Sequence, residues 1–270
     1  MIIVRTVSEY RALNLSDVGF VPTMGALHEG HCSLIHASKD HANRVVSIFV
    51  NPTQFGPNED LSRYPRPFEQ DVELAEAAGA NVIFAPSVDE MYPDSSTSIH
   101  VPVVTEHFEG SSRPGHFDGV ATIVSKLFNI VQPKTAYFGQ KDLQQCAVIS
   151  KMVQDLNMPV SLQIEPTMRE ADGLAMSSRN VYLSLADRQV APSIYQQLTK
   201  AKQSISDGLP SAEVLEECRF SLNSLGFAVD YFELIDRTRF VQVDHATSSS
   251  AIIVAAKLGT TRLIDNIIFS

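Results

Sequence analysis

Pro22-Thr23-Met24-Gly25-Ala26-Leu27-His28-Glu29-Gly30-His31 lies between a β-branched run, Val18–Val21, and a helix-period segment, Ser33–Ala42. After a strand and at the opening of a helix is where α/β sheets bind phosphates. Glycines let the backbone approach a ligand, and the helix N–H groups with the helix dipole favour an anion. Two histidines three residues apart stand near the helix start. As donors they can stabilise charge on a phosphoryl group without carrying a fixed positive charge. Spacing disposes of several other motifs. Gly25 and Gly30 have the separation seen in G-x-x-x-x-G-K-[ST], yet His31 replaces the lysine and Cys32 the hydroxyl that would hold magnesium. G-x-G-x-x-G is absent from the stretch. His28 and His31 have two residues between them, not the three of a zinc-protease helix, and the chain has no G-x-S-x-G elbow. What remains is H-x-G-H, either a phosphate site or a turn with two incidental histidines.

Outward from this stretch, short apolar runs alternate with helix-period segments. Val45–Val50 reads as a buried strand, Phe68–Ala78 as a helix stopped by Gly79, and Val82–Ala85 as the next strand, closed by Pro86. In Val120–Val131 the residues Val120, Ile123, Val124, Leu127, Phe128 and Val131 fall on one apolar stripe, and Pro133 follows. A strand at Thr135–Phe138, a helix at Leu143–Leu156 and a strand at Val160–Ile164 continue the pattern, which implies a parallel sheet covered on both faces. After Pro166 the style changes. A polar loop from Thr167 to Asn180 leads into helices around Ala186–Ser206 and Ala212–Leu225, then strands at Val229–Ile235, Ala251–Ala256 and Arg262–Phe269. The expected division is residues 1–167 as a Rossmann-like domain and 168–270 as a smaller α+β domain. Ser248-Ser249-Ser250 reads as a turn, and there is no internal repeat.

Composition narrows the function classes. The 270 residues are 44% hydrophobic and 19% charged, enough for a full core. With 21 basic against 31 acidic residues the net charge is −10, which opposes nucleic acid or an anionic membrane as partner but permits a local anion site. Cys32, Cys146 and Cys218 are widely spaced and odd in number, so a reducing cytosol is expected rather than a disulfide framework. No segment approaches the roughly 20 apolar residues that span a bilayer.

Four further segments carry polar residues at strand ends or helix starts. Asn51-Pro52-Thr53-Gln54-Phe55-Gly56 follows a buried strand, as ligand-facing amides or as a plain Asn-Pro turn. Arg113-Pro114-Gly115-His116-Phe117-Asp118-Gly119 precedes a helix, with Asp118 a possible N-cap. Gly139-Gln140-Lys141-Asp142-Leu143-Gln144-Gln145 enters another helix, where Lys141 meets phosphate or is simply solvated. Met176-Ser177-Ser178-Arg179-Asn180 sets two hydroxyls and a guanidinium in the polar loop, a group suited to triphosphate binding by a mobile segment.

The H-x-G-H element resembles the signature of the nucleotidyl-transferring α/β superfamily. Together, PTMGALHEGH at 22–31, FVNPTQFG at 49–56, RPGHFDGV at 113–120, KDLQQ at 141–145 and READGLAMSSRN at 169–180 resemble the pantothenate synthetase, or pantoate–β-alanine ligase, family in that family's order. The resemblance implies a Rossmann-like parallel-sheet nucleotide-binding domain with a smaller C-terminal α+β domain. It implies ATP-dependent condensation of pantoate with β-alanine through a pantoyl-adenylate, releasing AMP and pyrophosphate. A magnesium ion with the ATP, a homodimer and a cytoplasmic location are implied as well.

By matching positions, the resemblance gives Met24, His28, His31, Gly139, Lys141, Asp142, Met168, Met176, Ser177, Ser178 and Arg179 to ATP. His28, His31, Lys141, Ser177, Ser178 and Arg179 form its catalytic set. Gln54 and Gln145 are implied to hold pantoate, with Asn51 nearby. Tyr64 and Asp71 border the site, Asp71 as a candidate for magnesium, and Arg113 and His116 support the site or a dimer contact. One departure is visible. Gln140 stands where the family usually has glutamate, which removes any role for an acidic group there. Past Asn180 no site residue is inherited. No side-chain nucleophile is needed for such a reaction; alignment and charge neutralisation are. Closure of the second domain, with 169–180 as a flap, is the expected means of excluding water.

Overall fold

The computed structural model describes residues 1–57, 59–94 and 96–269. They divide into two compact units, residues 1–140 with 148–166, and residues 141–147 with 167–270. The first contains β1 (Ile2–Val4), α1 (Val7–Ala12), β2 (Val18–Thr23), α2 (Glu29–Ala37), β3 (Asn43–Ile48), α3 (Phe68–Ala77) and β4 (Val82–Phe84). It continues through α4 (Val88–Met91), α5 (Glu109–Ser112), α6 (His116–Val131), β5 (Thr135–Gly139), α7 (Leu143–Asp155) and β6 (Ser161–Glu165), the first turn of α7 being grouped with the second unit.

The six strands form one parallel sheet in the order β1-β4-β3-β2-β5-β6. From β2 the chain works outward one way through β3 to β4, and later the other way through β5 to β6. The reversal falls between β2 and β5, and the carboxyl ends of the strands flanking such a switch point are where open α/β sheets bind ligands. The central strands carry little polar alternation because both faces are covered. Phe20, Val21, Val45, Val46, Ile83 and Phe84 are all buried.

Helix α6 starts earlier than the apolar stripe suggests, at His116, after Gly115 in the left-handed region at φ 81°. Asp118 is therefore not the cap; it sits in the first turn, where His100 Nδ1 lies 2.9 Å from its carboxylate. The helix is buried almost all round, with Phe128 edge-on to both Phe20 and Phe138. Its first turn presses on the segment after β3 so closely that a Cβ at residue 119 would stand 2.5 Å from the Thr53 carbonyl oxygen.

The second unit is an antiparallel sheet in the order β10-β9-β7-β8, built from β7 (Phe227–Asp236), β8 (Val241–Gln242), β9 (Ser250–Leu258) and β10 (Thr261–Ile268). With it come α8 (Leu185–Val190), α9 (Ser193–Ser206) and α10 (Ser211–Ser224). The helical stretch expected over 186–206 is broken at Ala191–Pro192, where proline cannot continue the hydrogen-bond ladder. Leu198, Leu222, Phe232, Ile252 and Val254 make its core. Among the described residues no helix is long and apolar enough to cross a membrane.

Gly119→Ala is expected to cost about 1–3 kcal/mol, because the clash is with backbone and cannot be relieved by a rotamer change. Urea unfolding should show a lower midpoint at unchanged slope; an unchanged midpoint would mean that α6 shifts freely.

Candidate active site

The loop after β2 is fixed by a carboxylate from α3. Asp71 is almost fully buried and accepts N–H bonds from Ala26 (2.9 Å) and Leu27 (2.7 Å), one to each oxygen. Those two amides converge because Gly25 and Ala26 both take the left-handed region, at φ 79° and 51°. Glycine is required at 25, since a Cβ there would lie 2.8 Å from the Asp71 carboxylate and 3.1 Å from Ile48. Burial raises the Asp71 carboxyl above its ordinary value, against the pull of the Leu27 and Ala26 amides.

Helix α2 begins at Glu29, four residues before the expected start, because His28 caps it. His28 Nδ1 accepts from Gly30 N–H at 3.1 Å, and His31 Nδ1 accepts from His28 N–H at 3.3 Å, a capping box built from two imidazoles whose ring centroids are 4.2 Å apart. His31 and Cys32 N–H bond the His28 carbonyl. The amides of Gly25, Ala26, Leu27, His28, Gly30, His31 and Cys32 all have partners inside the loop or from Thr23 and Asp71. A neutral imidazole that accepts at Nδ1 carries its proton on Nε2.

After β3 a short 3₁₀ turn, Pro52–Gln54, brings Asn51 and Gln54 together, both buried. Asn51 Nδ2 donates to Gln54 Oε1 at 3.0 Å and to the Gly119 carbonyl at 3.1 Å, while Gln54 Nε2 lies 3.2 Å from the Met24 sulfur. Met24 and Gln54, assigned from sequence to different ligands, are therefore in contact. Tyr64 is buried with its ring edge-on to Phe55 at 5.9 Å. His116 supports the same segment from α6. Its Nδ1 donates to the Gln54 carbonyl at 2.8 Å, and its Nε2 accepts from Arg113 Nη1 at 3.0 Å. Arg113 in turn makes a two-pronged pair with Glu59, at 2.8 and 2.6 Å. Burial, then the Arg113 charge, hold the His116 imidazole down at about 4.

Of the remaining expected residues, Gly139 belongs to the first unit and the others to the second. Gly139 closes β5, and the 3₁₀ turn Gln140–Asp142 follows it into α7, with Lys141 Nζ 3.7 Å from the Asp142 carboxylate and the Lys141 carbonyl accepting from Asn266 at 3.0 Å. Gln145 is half-buried in the first turn of α7. The 169–180 segment is a braced hairpin rather than an open loop. Arg169 pairs with buried Asp265 at 2.6 and 2.9 Å, stacks 3.6 Å over the Tyr195 ring, and bridges in antiparallel fashion to Ala175. Met176 N–H bonds the Met168 carbonyl at 3.0 Å, Asn180 bonds Glu170, and Arg188 binds both Glu170 and Asp172. Ser177 caps the 3₁₀ turn 178–182 by accepting from Arg179 N–H at 3.3 Å. Glu59, Tyr92, Glu170, Arg188 and Asp265 were not singled out by sequence, since their roles are contacts made across 16 to 96 positions.

A profile of the family described as pantoate-beta-alanine ligase matches residues 2–268. The chain belongs to the pantoate–β-alanine ligase family. It is 50% identical to the pantothenate synthetase of Acetivibrio thermocellus, with 99% of each chain covered, and 52% identical to that of Acinetobacter baylyi over 93% of this chain and 90% of the relative. The crystal structure of pantothenate synthetase from Thermus thermophilus superposes with a TM-score of 0.97 at 44% identity, covering all of both chains. The pantoate–β-alanine ligase of Francisella tularensis, solved with a β,γ-ATP compound and β-alanine, gives a TM-score of 0.85 at 36% identity over 99% of this chain and 97% of that one.

Among the described residues no group of three or more His, Cys, Asp or Glu side chains is placed to hold an ion. Asp71, the sequence candidate, has each oxygen engaged by a loop amide.

His116 carries a pH prediction. Its folded value, about 4, lies below the ordinary histidine value, so the folded protein binds fewer protons between the two. Stability from this site is complete above about pH 6.5 and is lost as pH falls toward 4, by on the order of 3 kcal/mol. In His116→Asn, which retains a donor for the Gln54 carbonyl, the loss of unfolding free energy between pH 7 and pH 4.5 should be smaller than in wild type. Equal losses in the two proteins would remove His116 as the source.

Proposed function

We propose that this chain condenses pantoate with β-alanine at the expense of ATP, releasing AMP, pyrophosphate and pantothenate. The observation that carries the reading is the full-length match to the pantoate–β-alanine ligase family, together with the paired imidazoles at the carboxyl end of β2. The pantoate carboxylate attacks the α-phosphorus of ATP and pyrophosphate leaves, giving pantoyl-adenylate. The free amine of β-alanine then attacks the acyl carbon, and AMP leaves with the C–O bond electrons. An unactivated carboxylate would not react, because the amine would have to displace oxide.

In this reading His28 and His31 donate from Nε2 to the ATP phosphates, offsetting the repulsion between triphosphate and attacking carboxylate. Gln54 and Gln145 hold pantoate, with Asn51 behind Gln54. Lys141, Ser177, Ser178 and Arg179 bind and neutralise phosphate, and Met24, Gly139, Asp142, Met168 and Met176 face the nucleotide. Residues 1–167 act as the ATP- and pantoate-binding domain and 168–270 as the smaller domain. Magnesium enters with the ATP phosphates. A cytoplasmic homodimer completes the proposal.

Product analysis with ATP, magnesium and pantoate, with and without β-alanine, tests the reading. AMP and pantothenate should appear only with the amine; a nucleotidyl group retained on the product would overturn it. His31→Ala should lower adenylation by about 10²–10³-fold, as for loss of one charge-stabilising donor. His28→Ala also loses the α2 cap, worth about 1 kcal/mol, which His28→Asn restores. Adenylation should fall equally in both His28 variants while only alanine lowers the thermal midpoint. Recovery of rate in His28→Asn would reduce His28 to a cap.

A further inference from the structure

The amide of Gln54 can present either a carbonyl oxygen or an NH₂ group to whatever it binds, and the surroundings decide which. The Gly119 carbonyl can only accept, so the Asn51 atom 3.1 Å from it is the NH₂ nitrogen. The opposite end, Asn51 Oδ1, receives the Tyr92 hydroxyl at 2.9 Å and the Thr53 hydroxyl at 2.9 Å, with Thr53 N–H at 3.4 Å. The same Asn51 NH₂ then faces Gln54 at 3.0 Å, so that end of Gln54 must be Oε1. Reversing Gln54 would set NH₂ against NH₂ between two side chains that are 1% and 8% exposed, leaving donors unpaired where water cannot reach them. Gln54 therefore carries its NH₂ on the side of Met24, whose thioether is a weak acceptor and satisfies one N–H at best.

Tyr92 lies immediately after α4, 41 positions from Asn51. Burial raises its phenol, so near neutral pH it is an O–H donor, and Lys126 Nζ sits 5.3 Å over its ring.

We propose that Tyr92 is a positioning residue for the pantoate site: its hydroxyl, with that of Thr53, fixes the Asn51 amide, which fixes Gln54 with its NH₂ toward the substrate. The proposal rests on the reading of Gln54 as a pantoate ligand. It sets the chemistry that subsite accepts, an oxygen acceptor such as a carboxylate or hydroxyl, and it disfavours a donor at the same place. Tyr92 touches no substrate in this scheme and acts only through Asn51.

The test compares Tyr92→Phe, Gln54→Ala and the double variant, measuring KM for pantoate and for ATP and the thermal midpoint. Tyr92→Phe should raise the pantoate KM about threefold to tenfold, the range for one lost hydrogen bond, with the ATP KM within twofold. Gln54→Ala should raise it further, and the double variant should match Gln54→Ala alone, because Tyr92 then has nothing to orient. Thr53→Val, which removes the other hydroxyl donor, should reproduce the selective pantoate effect if Tyr92→Phe proves poorly folded. A pantoate KM unchanged in Tyr92→Phe while Gln54→Ala raises it overturns the role of Tyr92 and leaves the Gln54 reading standing. Additive effects in the double variant likewise overturn action through Gln54. If Gln54→Ala itself leaves the pantoate KM unchanged, the Gln54 assignment falls and the proposal with it.

Discussion

The contact between the Asp71 carboxylate and the amides of Ala26 and Leu27 sets the geometry from which the histidine pair follows. Left-handed backbone at a non-glycine residue costs about 1–2 kcal/mol, which Ala26 incurs at φ 51°. Hydrogen bonds to a charged group return about 1.5–3 kcal/mol each, so the two from Asp71 are enough to hold the turn. With the turn held, the chain enters α2 at His28, and only from that entry do both imidazoles reach back to backbone amides. Phe68, Val72 and Leu74 anchor α3 against the same core as Leu27 and Ile35, so the carboxylate arrives on a rigid element.

A second consequence is that the polar groups around β2 and β3 are aimed by partners of fixed character. A backbone amide can only donate, a carbonyl can only accept, and an arginine has no acceptor. Each imidazole or carboxamide placed beside one of these has its polarity decided: His28 and His31 by amides, His116 by the Gln54 carbonyl and Arg113, Asn51 by the Gly119 carbonyl. On a chain with net charge −10, neutral N–H donors of set direction add no buried charge that would itself need pairing.

Much of this was legible in the residues. The β-branched run before Pro22, the VVSIFV strand and the 120–131 stripe predict the elements they form, because periodicity and burial agree there. The H-x-G-H stretch stands between a strand and a helix as the pattern predicts, but the helix starts at Glu29 rather than Ser33, since histidine is not among the residues that ordinarily announce an N-cap. The short α1 has only its cap to mark it, the Thr6 and Glu9 capping box that the T-x-x-E spacing announces. At three residues, β1 was too short for periodicity to mark. What no local pattern could reveal is pairing at a distance. Asp71 appeared as an acidic residue near a ligand site, yet its partners lie 44 and 45 positions away. Tyr92 and Glu59 carried no motif at all.

The brace on the 169–180 hairpin places a constraint on the order in which the protein can mature. Arg169 is matched to Asp265, 96 positions later, on the last strand of the second sheet. As the polypeptide emerges from the ribosome, the parallel sheet can assemble once Glu165 is out. The Arg169 guanidinium has to wait for β10 before it finds that counter-charge.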